Sequence, residues 1–159
     1  MVSKRYVEQL ERARRCLRRF EALCAGIAHT QDAVNYDDDV YAFFQNCYHL
    51  KDWIKNDPYC SKWPNPEKLI DNDQNLQICA DLCNAQKHLK LTRPPRSAQN
   101  PQFAGRGLKL AIDDRGGSTT VGIAISYNVT TDNFGTIDAL VLAKDCMTAW
   151  ENYISANDP

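Results

Sequence analysis

The sequence predicts a mainly α fold: an up-and-down bundle of about four long helices, with a β-hairpin inserted before the last one. Two observations carry this expectation. Apolar residues recur at steps of three and four along most of the chain, the repeat of a helix with one buried face. Between Leu108 and Ile125 the period drops to two on either side of a Gly-Gly turn, the repeat of two paired strands.

The first helix is expected from Ser3 to about Ile27, with Tyr6, Leu10, Ala13, Leu17, Phe20 and Cys24 along its seam. Arg5, Arg12, Arg15 and Arg19 line another face, and residues 1–19 hold seven cations against two carboxylates. That face fits either a solvated surface or an arm that attracts phosphate. After a break from Gly26 to Tyr36, Asp37, Asp38 and Asp39 are placed to cap a second helix, Val40–Asn56, and to favour its first turn. Asn56-Asp57-Pro58 ends that helix, because the residue before a proline disfavours the helical backbone. Pro66 opens a short turn through Ile70, and Asp73 can cap a central helix running from Gln74 to Leu91. A loop follows as far as Pro101. The hairpin then alternates through Leu108, Leu110 and Ile112 and back through Val121, Ile123 and Ile125. Asp132–Thr136 turns the chain into a final helix, Asp138–Ile154. The result is one domain over residues 1–159, with a helical core at 4–91, a hairpin at 107–127 and the closing helix at 138–154.

With 43% hydrophobic and 25% charged residues, and a net charge of −1, the composition is that of an ordinary globular chain. The near-neutral balance argues against a general nucleic-acid coat. No apolar run approaches the roughly 20 residues needed to cross a membrane, so no membrane association is expected. Seven cysteines, an odd count set mostly in helical patterns, behind a charged rather than apolar opening, point to a reducing cytoplasm. There the thiols act as small core residues. Cys79 and Cys83 stand four apart but lack a CxxC or HExxH context, so neither a metal nor a cofactor is expected.

The central helix carries a thin polar stripe, Gln77, Asp81, Asn84 and His88, on an otherwise apolar cylinder. The second helix repeats that spacing with Gln45, His49, Asp52 and Asn56. Antiparallel packing would set Gln45 near His88 and Asp52 near Asp81, with Lys51 or Lys87 to offset the two carboxylates. The stripes are either two solvated faces or one functional groove.

With Asn84 and His88 at the end of the central helix, the chain resembles the HEPN (higher eukaryotes and prokaryotes nucleotide-binding) superfamily over roughly residues 4–91 and the final helix. The signature is an arginine, a polar residue and a histidine; here Asn84 and His88 match, while Cys83, Leu82 or Asp81 occupies the arginine position. The resemblance implies a helical bundle, usually dimeric, acting on RNA in a prokaryotic toxin–antitoxin or phage-defence system. It also implies a metal-independent ribonuclease using Asn84 and His88; beside them His49 is a candidate second acid or base, and Lys87, Arg93, Arg96, Arg12, Arg15 and Arg19 are candidate RNA-binding cations. The absent arginine removes the guanidinium that would stabilise charge on phosphorus, so cleavage is in doubt. The alternative is a non-catalytic protein-interaction subunit of such an assembly, and a third class is a nucleotide-binding regulator using the same groove. Tyr48, Trp53 and Trp63, read as an exposed aromatic set, add to the expectation of a homodimer.

Overall fold

A computed structural model describes residues 3–26, 33–87, 93–115 and 118–158. The chain is mainly helical, with a small antiparallel sheet before the last helix. In order it forms α1 (Tyr6–Cys24), α2 (Ala33–Asn56), a 3-10 turn (Pro58–Cys60), α3 (Pro66–Asn72), α4 (Gln74–Lys87), β1 (Gln102–Arg115), β2 (Ser118–Thr131), β3 (Gly135–Asp138) and α5 (Ala139–Asn157). No described helix is long and apolar enough to cross a membrane.

The core lies where α1, α2, α4 and α5 meet, and the apolar seams read from the sequence fill it. Phe20, Phe43, Phe44, Leu50 and Trp150 are fully buried. α4 packs against α2, α3 and α5, which explains why it is apolar on more than one side. Cys47, Cys79 and Cys146 are buried where α2, α4 and α5 converge. Their thiols serve as compact filling with weak donors: Cys79 Sγ lies 3.5 Å from the Phe44 carbonyl, and Cys146 Sγ 3.3 Å from that of Asn75. All seven cysteines are unpaired.

Several boundaries differ from expectation. α2 starts at Ala33 rather than Val40, so Asp37–Asp39 lie inside the helix and not at its cap. Tyr36 and Val40 are both buried, extending the apolar stripe one turn back. Asp37 and Asp39 are accommodated there by ion pairs to Arg106 and Arg19. α1 is shorter than predicted, and the expected end of the central helix, residues 88–91, lies outside the described residues. The hairpin is longer, fourteen residues in each arm. A third strand, β3, stands where the sequence predicts only a turn into the last helix, and pairs with Asn128–Thr131 of β2. The sheet order is β1-β2-β3, leaving β1 as an outer strand. A register break between Phe103 and Arg106, with Gly105 at φ +97°, marks where the hairpin leaves the bundle.

The aromatic set expected on the surface is largely covered. Trp63 packs on Tyr6 at 5.1 Å and on Tyr153 at 6.0 Å. The Arg12 guanidinium lies over Trp53, and the Lys51 ammonium over Tyr48.

α1 has no cap of its own, since Arg5 at the N-cap position makes no side-chain hydrogen bond to the helix. The buried Asp57 supplies one from across the fold. Its Oδ2 accepts from the Tyr6 backbone N–H at 2.8 Å, and its Oδ1 from that of Tyr59 at 3.0 Å. One carboxylate therefore starts two helical segments, with its charge at the favourable end of α1. Asp57→Ala is expected to lower stability by about 2 kcal/mol, measured by urea unfolding followed through helical circular dichroism.

Candidate functional site

The two predicted polar stripes come apart into a cleft and an ion-pair chain. The cleft, about 530 Å³, lies between α2 and the end of α4 and is lined by Asp38, Tyr41, Ala42, Gln45 and Gln86. Gln45, from the second-helix stripe, therefore shares a cavity with a residue two positions before His88. His88 itself lies outside the described residues, so the expected Gln45–His88 neighbourhood and the Asn84–His88 pair do too. Asn84 is half-buried on α4.

Gln86 is the anomaly of the cleft. Both polar atoms of its carboxamide, Nε2 and Oε1, are buried and neither has a hydrogen-bond partner among the described residues. An unmet buried amide costs roughly 1–3 kcal/mol, so it is not an indifferent way to fill space. Tyr41 sits beside it with its ring edge-on to Phe103 at 5.1 Å. Burial, and then the nearby carboxylates of Asp37 and Asp38, raise the Tyr41 hydroxyl above the ordinary tyrosine range, so it stays a neutral donor. Of the three consecutive aspartates, Asp37 pairs with Arg106 at 3.4 Å and Asp39 with Arg19 at 3.0 Å. Asp38 has no ion pair among the described residues, and it is the one that lines the cleft.

The ion-pair chain runs along the other end of α2. His49 Nδ1 lies 3.2 Å from Asp52, and Asp52 accepts from Lys51 at 3.0 Å. Lys51 also reaches Glu67 at 2.9 Å, Glu67 pairs with Arg96 at 2.8 Å, and Arg96 pairs with Asp71 at 2.6 Å. Asp81, expected to face Asp52, is instead buried and fully engaged with the next loop. It accepts from the Arg96 N–H at 2.7 Å, the Ser97 N–H at 2.8 Å and the Ser97 hydroxyl at 2.6 Å. Lys51, one of the cations expected to offset these carboxylates, does so for Asp52 alone.

The six cations expected to meet RNA divide evenly. Arg12 is bound to Glu8 and Gln9, Arg19 to Asp39, and Arg96 to Glu67 and Asp71. Lys87, Arg93 and Arg15 are exposed, with no ion pair among the described residues. Among those residues no group of histidine, cysteine, aspartate or glutamate side chains is arranged to hold a metal ion. Sequence reasoning missed Gln86, Tyr41 and Asp38. The one available signal was Gln86 itself, a polar residue off the stripe in an otherwise apolar stretch.

Compared with protein-family models, curated proteins and solved structures, the chain matches none.

The chain of ion pairs has a measurable signature. Burial tends to raise Glu67 and Asp52, but it is outweighed by hydrogen bonds from Lys51 and Arg96 to Glu67, and from Lys51 and His49 to Asp52. Both carboxyls therefore sit below their ordinary values of 4.5 and 3.8. A depressed folded-state pKa gives stability that is present above the ordinary value and lost as pH falls below it. Unfolding measured from pH 7 downward should show stability declining once the pH passes below about 4.5. The double variant Glu67→Gln/Asp52→Asn should flatten that decline.

Proposed function

We propose that the chain is an RNA-directed module that holds an unpaired base in the α2–α4 cleft without cleaving the strand. The observation that carries this reading is the buried, unpartnered carboxamide of Gln86. Neither end is met among the described residues, so a complement to both presents a donor and an acceptor side by side. A base edge does this; a guanidinium offers only donors, and a phosphate only acceptors. The Tyr41 ring can lie against a base face, Gln45 adds a second carboxamide, and Asp38 accepts from an exocyclic amine. Lys87, next to Gln86 in sequence and exposed, is placed for the phosphate outside.

Absence of cleavage follows from the charges. No arginine occupies the motif position before Asn84 and His88, and the nearby cations Lys51 and Arg96 are each held between carboxylates. Among the described residues Arg93 remains uncommitted, but it is exposed and no ion pair fixes it for the charge that builds on phosphorus. A place in a toxin–antitoxin or phage-defence system follows from the HEPN resemblance alone.

A second reading, a non-catalytic protein-interaction subunit, is favoured by the projecting hairpin, where Leu108 on the outer strand is 74% exposed. Fluorescence anisotropy with labelled single-stranded RNA at low salt separates the two. The base-holding reading expects binding, no shortening of the strand, and about tenfold weaker binding for Gln86→Leu. The same substitution should raise the melting temperature, because it replaces an unmet amide by an apolar side chain of similar size. RNA that fails to bind the wild-type chain, or binds Gln86→Leu equally well, overturns this reading and leaves the interaction subunit.

A further inference from the structure

β1 is an outer strand, and beyond the bulge at Gly105 it runs regularly from Arg106 to Arg115 with only β2 beside it. β3 covers β2 only at Asn128–Thr131, so the outer part of the hairpin is a two-stranded ribbon. Such a ribbon is marginal in water, whereas three or more strands with an apolar face are stable. The register sets Leu108 opposite Ile125, Leu110 opposite Ile123 and Ile112 opposite Val121. Alternate strand positions share a face, so these six positions, all apolar in the sequence, belong to one face of the ribbon by register. Ile125 is buried against the bundle, yet its cross-strand partner Leu108 is 74% exposed.

The sequence of that face says what covers it. Along β1 it reads Arg106, Leu108, Leu110, Ile112, Asp114: a cation, three apolar residues, an anion. Reversed, the pattern complements itself. We propose that two copies of this chain join through β1, antiparallel about a two-fold axis at Leu110. Leu110 then faces its own copy, Leu108 faces Ile112 of the other chain, and Arg106 faces Asp114 of the other chain.

The neighbouring registers are poorer. Centring on Ala111 sets Leu108 against Asp114, and centring on Ile112 sets Lys109 against Arg115. A slip of one residue puts each apolar position on the wrong face. On the opposite side the pairing brings Lys109 against Ala111 and Gly107 against Asp113, with no like charges in contact. Arg106 already lies 3.4 Å from Asp37, so Asp114 of the other copy joins an existing pair. The product is a sheet continuous across the axis, β2-β1-β1-β2, whose apolar face is four strands wide. It gives Leu108 a cross-strand neighbour, Ile112 of the other chain, and it ends the outer edge that a lone strand would leave open. This pairing is independent of the RNA reading, since none of its residues lines the cleft.

Cross-linking of the full chain tests it. Directly opposed strand positions are close enough for a disulfide, at about 4.5–5.5 Å between Cα atoms. Under mild oxidation Leu110→Cys should give a disulfide-linked dimer, while Ala111→Cys and the wild-type chain should not. Light scattering at micromolar concentration should report twice the chain mass of 18.1 kDa for wild type and a single chain for Leu110→Lys, with helical circular dichroism unchanged. A wild-type monomer overturns the proposal. So does cross-linking through Ala111→Cys but not Leu110→Cys.

Discussion

A carboxylate buried under a loop decides how the helical and sheet parts of the fold meet. Asp81 is 3% exposed on α4, the helix packed against α2, α3 and α5, where an unpaired charge would be strongly unfavourable. Its two oxygens are met by two backbone N–H groups and one hydroxyl, all from Arg96 and Ser97. That arrangement forces residues 96–99 down onto α4. Ala98 takes a left-handed backbone at φ +55° to make the turn, a conformation that costs an L residue roughly 1 kcal/mol and persists because the anchor holds it. From there Gln99 binds the β2–β3 turn, accepting from the backbone N–H groups of Asp132 and Asn133. The sheet is thus oriented by a polar residue of the helix beneath it as well as by apolar contact.

The same anchor explains how charge is distributed over the surface. Because Asp81 fixes the Arg96 backbone, the Arg96 guanidinium is delivered to Glu67 and Asp71 on α3. It closes a run of alternating charges that ends at His49. A cation held in such a run is orienting structure and is poorly placed to meet an external phosphate. The cleft at the other end of α2 has the opposite character. Its donors and acceptors are mostly neutral carboxamides and a phenol, and one of them is unmet. Architecture and recognition therefore use different chemistry on the same pair of helices.

Periodicity exposed what depends on apolar spacing. The seams through Phe20, Phe43, Cys47, Leu76 and Trp150 are the core, and the alternation through Leu108 and Ile125 is the hairpin. Asp73 caps α4 through the Leu76 N–H, as its position suggested. What the pattern could not show depends on partners distant in sequence. Asp37–Asp39 look like a helix start, and only Arg19 and Arg106 reveal why they are tolerated inside α2. Asp81 and Asp52 share a spacing motif with their neighbours, yet one is buried beneath Ser97 and the other is half-exposed beside Lys51. β3 is four residues long and has too little alternation to stand out from a turn. Gln86 was visible as an odd residue, but burial without a partner is a property of the assembled cleft and not of the helix.

The carboxylate of Asp158 receives hydrogen bonds from Lys4, Tyr6 and Tyr59, which hold it down at about 2. Lys4 and Asp158 are separated by 154 positions. A contact of that span closes a long loop, so its entropic cost is met only together with the packing of the helices between. α1 is made before α5, so the side of α1 that meets α5 stays uncovered until α5 has been made.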